Sequence, residues 1–291
     1  MAKADIAALL ALAAAFFIAV GNVIHQRSAR DVTGDQAGGL ELFLRLLGNG
    51  RWWLGSGVAA AGFALQATAL GLGSVLLVQS LLVTSLLFAL PVSARLAHRR
   101  VTRWEWLWAA LLAGSVVVIV TVGNPTAGQS RASLATWLGV VAVLGPVLVL
   151  CVLGARMWSG PISAVLLAVV SGALWGVFAV LTKAVVNRLD VTSWAGLTEL
   201  VRTPELYAWA LVAIGGTAMQ QASFGAGALT ASLPTMTVAE PIVACVLGVV
   251  VLGETMRPGD TGGLILVLAV GAVVAATAAL ARGQAVTRAP A

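Results

Sequence analysis

Apolar stretches of about twenty residues follow one another along almost the whole of this 291-residue sequence, separated by connectors too short to fold by themselves. Nine can be marked: 5–26, 52–70, 74–94, 104–122, 134–153, 162–186, 207–224, 229–252 and 262–281. Each is long enough to carry a helix through a hydrocarbon layer ~30 Å thick. Inside that layer a helix satisfies its own backbone polar groups, which an open strand cannot do. The expected fold is therefore an all-α polytopic membrane protein with about nine transmembrane helices.

Composition agrees and narrows the function. Hydrophobic residues make up 60% of the chain and charged ones 10%, with a mean hydropathy of +0.99, far from a soluble globular domain. The net charge is +6, yet the basic residues lie between apolar segments instead of forming a stripe. They act as topology signals and point to no nucleic-acid partner. Cys151 and Cys245 both fall inside apolar runs, and the only histidines are His25 and His98, so neither a disulfide scaffold nor a Cys/His metal cluster is expected. No phosphate-binding glycine loop, zinc-protease helix or nucleophile–base pair is present, so the chain is not expected to be an enzyme and no cofactor is implied.

Alternating the connectors between two sides places eleven Lys and Arg on one (Arg27, Arg30, Arg45, Arg51, Arg95, Arg99, Arg100, Arg103, Arg156, Arg282, Arg288) and six on the other (Lys3, Arg131, Lys183, Arg188, Arg202, Arg257). The positive-inside rule then puts the amino end outside and the carboxyl end in the cytoplasm of an inner or plasma membrane. Segment 39–47 is too short and too charged to span. It reads as an interfacial or re-entrant helix leading to Trp52 and Trp53, and a tenth, distorted span there would change the topology.

The second and third spans align with the seventh and eighth. Around Gln66, Gly71 and Gly73 the pattern returns at Gln220, Gly225 and Gly227, a constant offset of 154 residues. The first span aligns with the sixth at nearly the same offset, setting Asn22, His25 and Gln26 against Ala179, Thr182 and Lys183. Two four-helix repeats, residues 1–123 and 161–282, are expected on either side of a linker with one helix, 124–160, ahead of a cytoplasmic tail at 283–291. A single linker helix inverts the second repeat, an arrangement typical of secondary transporters.

Within this frame Glu240 stands out as the one acid deep in an apolar run, 226–252. A carboxylate there costs at least ~3 kcal/mol, so it calls for a use. Pro234 and Pro241 flank it and each removes a backbone donor, which predicts a kinked or unwound stretch over 232–241. At the matching places in the third span stand Ser80 and Leu86, so one carboxylate serves both halves. Gln79, Ser80, Thr84 and Ser85 are candidates to line the path or to pack helices. Gln66 and Gln220 read equally as an interhelical clamp or as substrate contacts. Lys183 is expected either to snorkel to the outer interface or to pair with Glu240. Trp175 faces a cavity or packs. His25 reads as a solvated interfacial histidine before a proton relay.

These residues resemble the drug/metabolite transporter superfamily, with its EamA-like inverted repeat, a helix ending near a lysine, and a proline-bearing helix closing on Gly-Glu. The matching positions are Ala173 to Gly176 with Thr182 and Lys183, and Glu240 and Pro241 followed by Leu252, Gly253, Glu254 and Thr255. Within it, nine spans, the outside amino end, Trp52-Trp53 and the Gln66, Gln79, Ser80 pattern are similar to the NIPA-like magnesium transporter branch. The first half has Arg99 and Arg100 where the second has Gly253 and Glu254, as if basic inside were matched by acidic outside. The implied function is secondary transport by alternating access of a cation or a small metabolite, with Glu240 as cation or proton site. In the magnesium branch Mg2+ is expected to meet Glu240 and oxygens of Thr235, Thr237, Gln79 and Ser80. A proton-coupled exporter of small molecules or drugs is the alternative, and a non-transporting scaffold in envelope assembly a third. The partners implied are the cargo and the lipid bilayer, and a homodimer is compatible with such a chain.

Overall fold

The computed structural model describes residues 3–32, 50–96, 100–189, 199, 201–226, 229–257 and 262–288. Among them every regular element is a helix, and one isolated antiparallel bridge joins Thr126 and Thr255 in the connectors. The helices are α1 (Lys3–Val32), α2 (Gly50–Leu72), α3 (Val75–Leu82), α4 (Ser85–Leu96), α5 (Arg103–Gly123), α6 (Leu134–Met157), α7 (Pro161–Val186), α8 (Pro204–Gly225), α9 (Leu229–Leu252) and α10 (Gly262–Arg288). Eight spans among the described residues are long and apolar enough to cross a membrane, with α3 and α4 together forming one of them. The chain is a multi-pass membrane protein. Segment 39–47 and the side chains of His25, Gln26 and Trp52 lie outside the described residues.

α8 falls outside those eight because Gly215, Gly216, Thr217, Gln220 and Gln221 dilute its apolar character. It nevertheless runs antiparallel along the full length of α7. The Trp209 indole donates to Thr182 Oγ1 at 2.9 Å, Ser171 Oγ to the Gly216 carbonyl at 3.0 Å, and Ser223 Oγ to the Ala164 carbonyl at 2.7 Å. Positions climb on one helix as they descend on the other. In an apolar solvent such bonds give polar side chains the partner that water does not provide.

α7 is the centre of the molecule, buried on nearly every face from Val170 to Ala184 and packed against both α8 and α9. Its approach to α9 depends on Gly172 and Gly176, one turn apart. A Cβ on Gly172 would meet Ala239 Cβ at 2.7 Å, and one on Gly176 would meet the Ala244 amide nitrogen at 2.9 Å. Small residues at this spacing let two backbones touch. Gly176→Ala is expected to cost ~1–3 kcal/mol by overpacking, read as a lowered Tm in detergent.

Two of the predicted spans change shape. The third is broken: α3 ends and α4 begins at Val83 and Thr84, where Thr84 N–H bonds the Leu81 carbonyl at 3.0 Å and Thr84 Oγ1 donates to the same carbonyl at 2.5 Å. The threonine hydroxyl competes for a helix acceptor and tightens the turn. The eighth span, where unwinding is expected, is instead one continuous helix with Pro234 and Pro241 inside it. Each proline removes one hydrogen bond, and the close packing of α9 on α7 holds the helix through the gap.

Candidate functional site

The sequence makes Glu240 the one deeply buried acid, and the structure corrects this. Glu254, just beyond α9, is 0% exposed, whereas Glu240 is half-buried. Gly253 ends α9 in the left-handed region at φ 64°, a conformation glycine adopts without steric cost. The chain then folds back, with Gly253 N–H on the Val249 carbonyl at 3.1 Å and Glu254 N–H on the Gly248 carbonyl at 3.0 Å. This turns the Glu254 side chain inward, onto the start of α3.

There both oxygens of the carboxylate find donors. Oε1 accepts the Val75 N–H at 2.7 Å and the Lys183 ammonium at 2.7 Å, and Oε2 accepts the Leu76 N–H at 3.0 Å. The next N–H of α3, on Leu77, goes to the N-cap Ser74 Oγ at 3.0 Å. The first donors of α3, which have no partner within the helix, are thus taken by one glutamate and one serine. The carboxylate thus lies at the positive end of the helix dipole and beside the lysine ammonium. Lys183 is itself 3% exposed. It neither snorkels nor pairs with Glu240.

A short segment after α5 covers this pair. Thr126 N–H donates to the Thr255 carbonyl at 2.9 Å, their hydroxyls lie 2.7 Å apart, and Gln129 N–H reaches the Leu252 carbonyl at 2.7 Å. Gly128 lies flat against the turn, and a Cβ there would be 2.0 Å from the Leu252 carbonyl oxygen. Arg131 pairs with Glu205 at the start of α8. The connectors at 73–74, 124–131, 203–205 and 253–257 therefore gather at one end of the molecule.

Glu240 lies twelve residues before the end of α9, ~18 Å along the helix axis. Its backbone rests on α7: a Cβ on Gly172 would be 3.1 Å from its amide nitrogen, and one on Gly176 3.0 Å from its carbonyl oxygen. Among the described residues its carboxylate has no hydrogen bond or ion pair. Gln79, buried on α3 at 2% exposure, has an amide nitrogen with no partner among the described residues.

The other predicted residues scatter. Ser80 opens into a cavity of about 190 Å³ lined by Val83, Ile119, Val238, Pro241 and Thr277 among others. Successive helix positions turn by ~100°, so the α9 face toward this cavity, Val238, Pro241 and Cys245, is turned away from Glu240. The structure does not bring Ser80 and Glu240 into one pocket. Thr235 and Thr237 are half-buried and neither is without a partner. Gln66 is buried, Gln220 is half-buried, and among the described residues no hydrogen bond joins them. The clamp between α7 and α8 is made by Ser171, Ser223 and Trp209 instead. Trp175 packs edge-on against Phe178 with centroids 5.1 Å apart, in a cluster that continues to Trp209 and to Phe63 of α2.

An uncharacterized protein of Corynebacterium glutamicum is 39% identical over 281 residues, a match covering 95% of this chain and 95% of that protein. The chain belongs to the family of that protein. No protein-family model matches the chain, and no solved structure does. At this identity and coverage the same succession of apolar segments is expected in the relative.

Proposed function

We propose that the chain is a secondary transporter of the drug/metabolite type, working by alternating access, with Glu240 as the site that takes up and releases a proton as cargo crosses. The observation that carries this reading is the contrast between the two intramembrane acids. Glu254 is buried with both oxygens bonded at one end of the bundle, and Glu240 lies deep in α9, half-buried and without a partner among the described residues. A costly, unneutralised carboxylate on a membrane helix is what a proton or cation pathway requires.

The inverted repeat is supported by the alignment at an offset of 154 residues. The packing of α1 on α2 and of α7 on α8, the matching pairs of the two halves, supports it further. With α8 following α7 end to end, nine crossings are the natural count, and the positive-inside rule sets the Glu254 end outside.

The cargo is a small organic molecule, by the donors present. Among the described residues no three acidic, His or Cys side chains converge, and Ser80, one of the oxygens expected for Mg2+, faces an apolar cavity. A divalent hard ion prefers several oxygens with more than one carboxylate among them. The test is uptake by the purified protein in proteoliposomes under an imposed pH gradient. Accumulation of small organic solutes from a mixed panel, with Mg2+ entry no faster than into empty liposomes, is expected. Mg2+ accumulation would overturn the cargo assignment, and no movement of any solute would overturn transport in favour of a scaffold.

A further inference from the structure

We propose that Glu254, Lys183 and the start of α3 form the lock that closes one end of the transport path, and that withdrawal of Glu254 from this nest is the opening step. The inference rests on the transporter reading and adds the moving part. The lock joins α3 of the first half to α7 and the end of α9 in the second, through three bonds of 2.7, 2.7 and 3.0 Å to one carboxylate. Both charged side chains are almost fully withdrawn from the surface, at 4% and 0% exposure.

A buried pair of this kind is favourable only when complete, because either charge alone in that place is strongly disfavoured. Partial opening is therefore poorly populated, and the end is either shut or open, as a bistable element requires. The part that moves is identified by its secondary structure. Lys183 and Val75 stand on helices, whereas Glu254 stands on a turn after α9, hinged at Gly253 with its positive φ. Across the Thr126–Thr255 bridge the turn is held by the connector that leaves α5 in the first half, and this bridge is made only of hydrogen bonds at the protein's edge. The lock stands ~18 Å along α9 from Glu240, so the end that is shut lies well away from the deeper carboxylate.

The experiment uses the full chain with Cys151→Ala and Cys245→Ala, and Val78→Cys as reporter. Val78 is wholly buried on α3 about one turn below the lock. Labelling by a membrane-impermeant thiol reagent applied on the Thr126 side is expected to rise about tenfold or more with Glu254→Gln, within the usual range of conformational coupling. The exchanged pair Lys183→Glu with Glu254→Lys is expected to leave labelling high, because a lysine at 254 would face the N–H groups of Val75 and Leu76. A plain salt bridge would be restored by the exchange.

A second arm does not depend on the folding of a destabilised variant. In the same background, Thr126→Cys with Thr255→Cys places two thiols where hydroxyls stand 2.7 Å apart. Oxidation is expected to stop solute flux, with reductant restoring it. Unchanged labelling in Glu254→Gln protein that is folded at the assay temperature, or full flux through the oxidised protein, overturns the lock while leaving transport intact. Absence of flux in the reduced parent overturns the transporter reading itself, and the labelling arm still decides whether this end opens.

Discussion

Lys183→Met is expected to lower the stability of the protein by ~3–5 kcal/mol, the cost of leaving a buried charge without its partner. In detergent this corresponds to a fall of roughly ten degrees in apparent Tm for a chain of this size. The loss comes mostly from Glu254. With the ammonium gone, the carboxylate keeps only the Val75 and Leu76 N–H groups, in a place where water cannot reach it. Glu254→Gln is expected to cost a similar amount for the converse reason, since Lys183 then has no counter-ion. The double variant should be more stable than the sum of the two single losses predicts, because neither charge remains. Glutamine can still accept one N–H of α3. Thermal unfolding of the four proteins closes the cycle, and simple additivity would show that the pair is not coupled.

The apolar runs made the all-helical, multi-pass architecture legible, because a bilayer leaves few structures open to a twenty-residue apolar segment. The helix at 204–225 was legible too, although its glycines and glutamines thin its hydropathy. The breaks were not. Prolines at 234 and 241 suggested a disrupted helix there, but each removes one bond, and close contact with Gly172 and Gly176 keeps α9 continuous. The actual break, at Val83 and Thr84, comes from a local hydroxyl-to-carbonyl bond that no periodicity announces.

The site divides in the same way. Glu240 stands out by its cost, whereas Glu254 follows its apolar run and looks like an interfacial acid. A signal was present. Lys183 near the end of one span and Glu254 just past another fall on the same side once the spans alternate, so the sequence itself puts two opposite charges at one end of the bundle. What sequence could not supply was the turn at Gly253, which carries the carboxylate inward instead of out to water. The position of Ser80 was hidden for a related reason: the offset of 154 residues aligns it with Pro234, but it does not state which face of α3 meets α9.

The second large effect concerns Glu240. Glu240→Gln keeps the shape of the protonated side chain and removes its ability to ionise, so the fold is expected to survive and the solute path to remain. What disappears is the link to protons. The wild-type protein should concentrate its cargo against a gradient when a pH difference is imposed. The variant should carry cargo only down its own gradient, by exchange that no longer responds to pH. Because a coupling group does its work by changing charge during the cycle, the loss is expected to be complete.

The direct measurement is cargo accumulation in proteoliposomes under an imposed pH gradient, wild type beside Glu240→Gln, with matched amounts of folded protein. Accumulation by the wild type, and none by the variant while its exchange of labelled cargo continues, is the predicted result. Equal pH-driven accumulation by both proteins would contradict it.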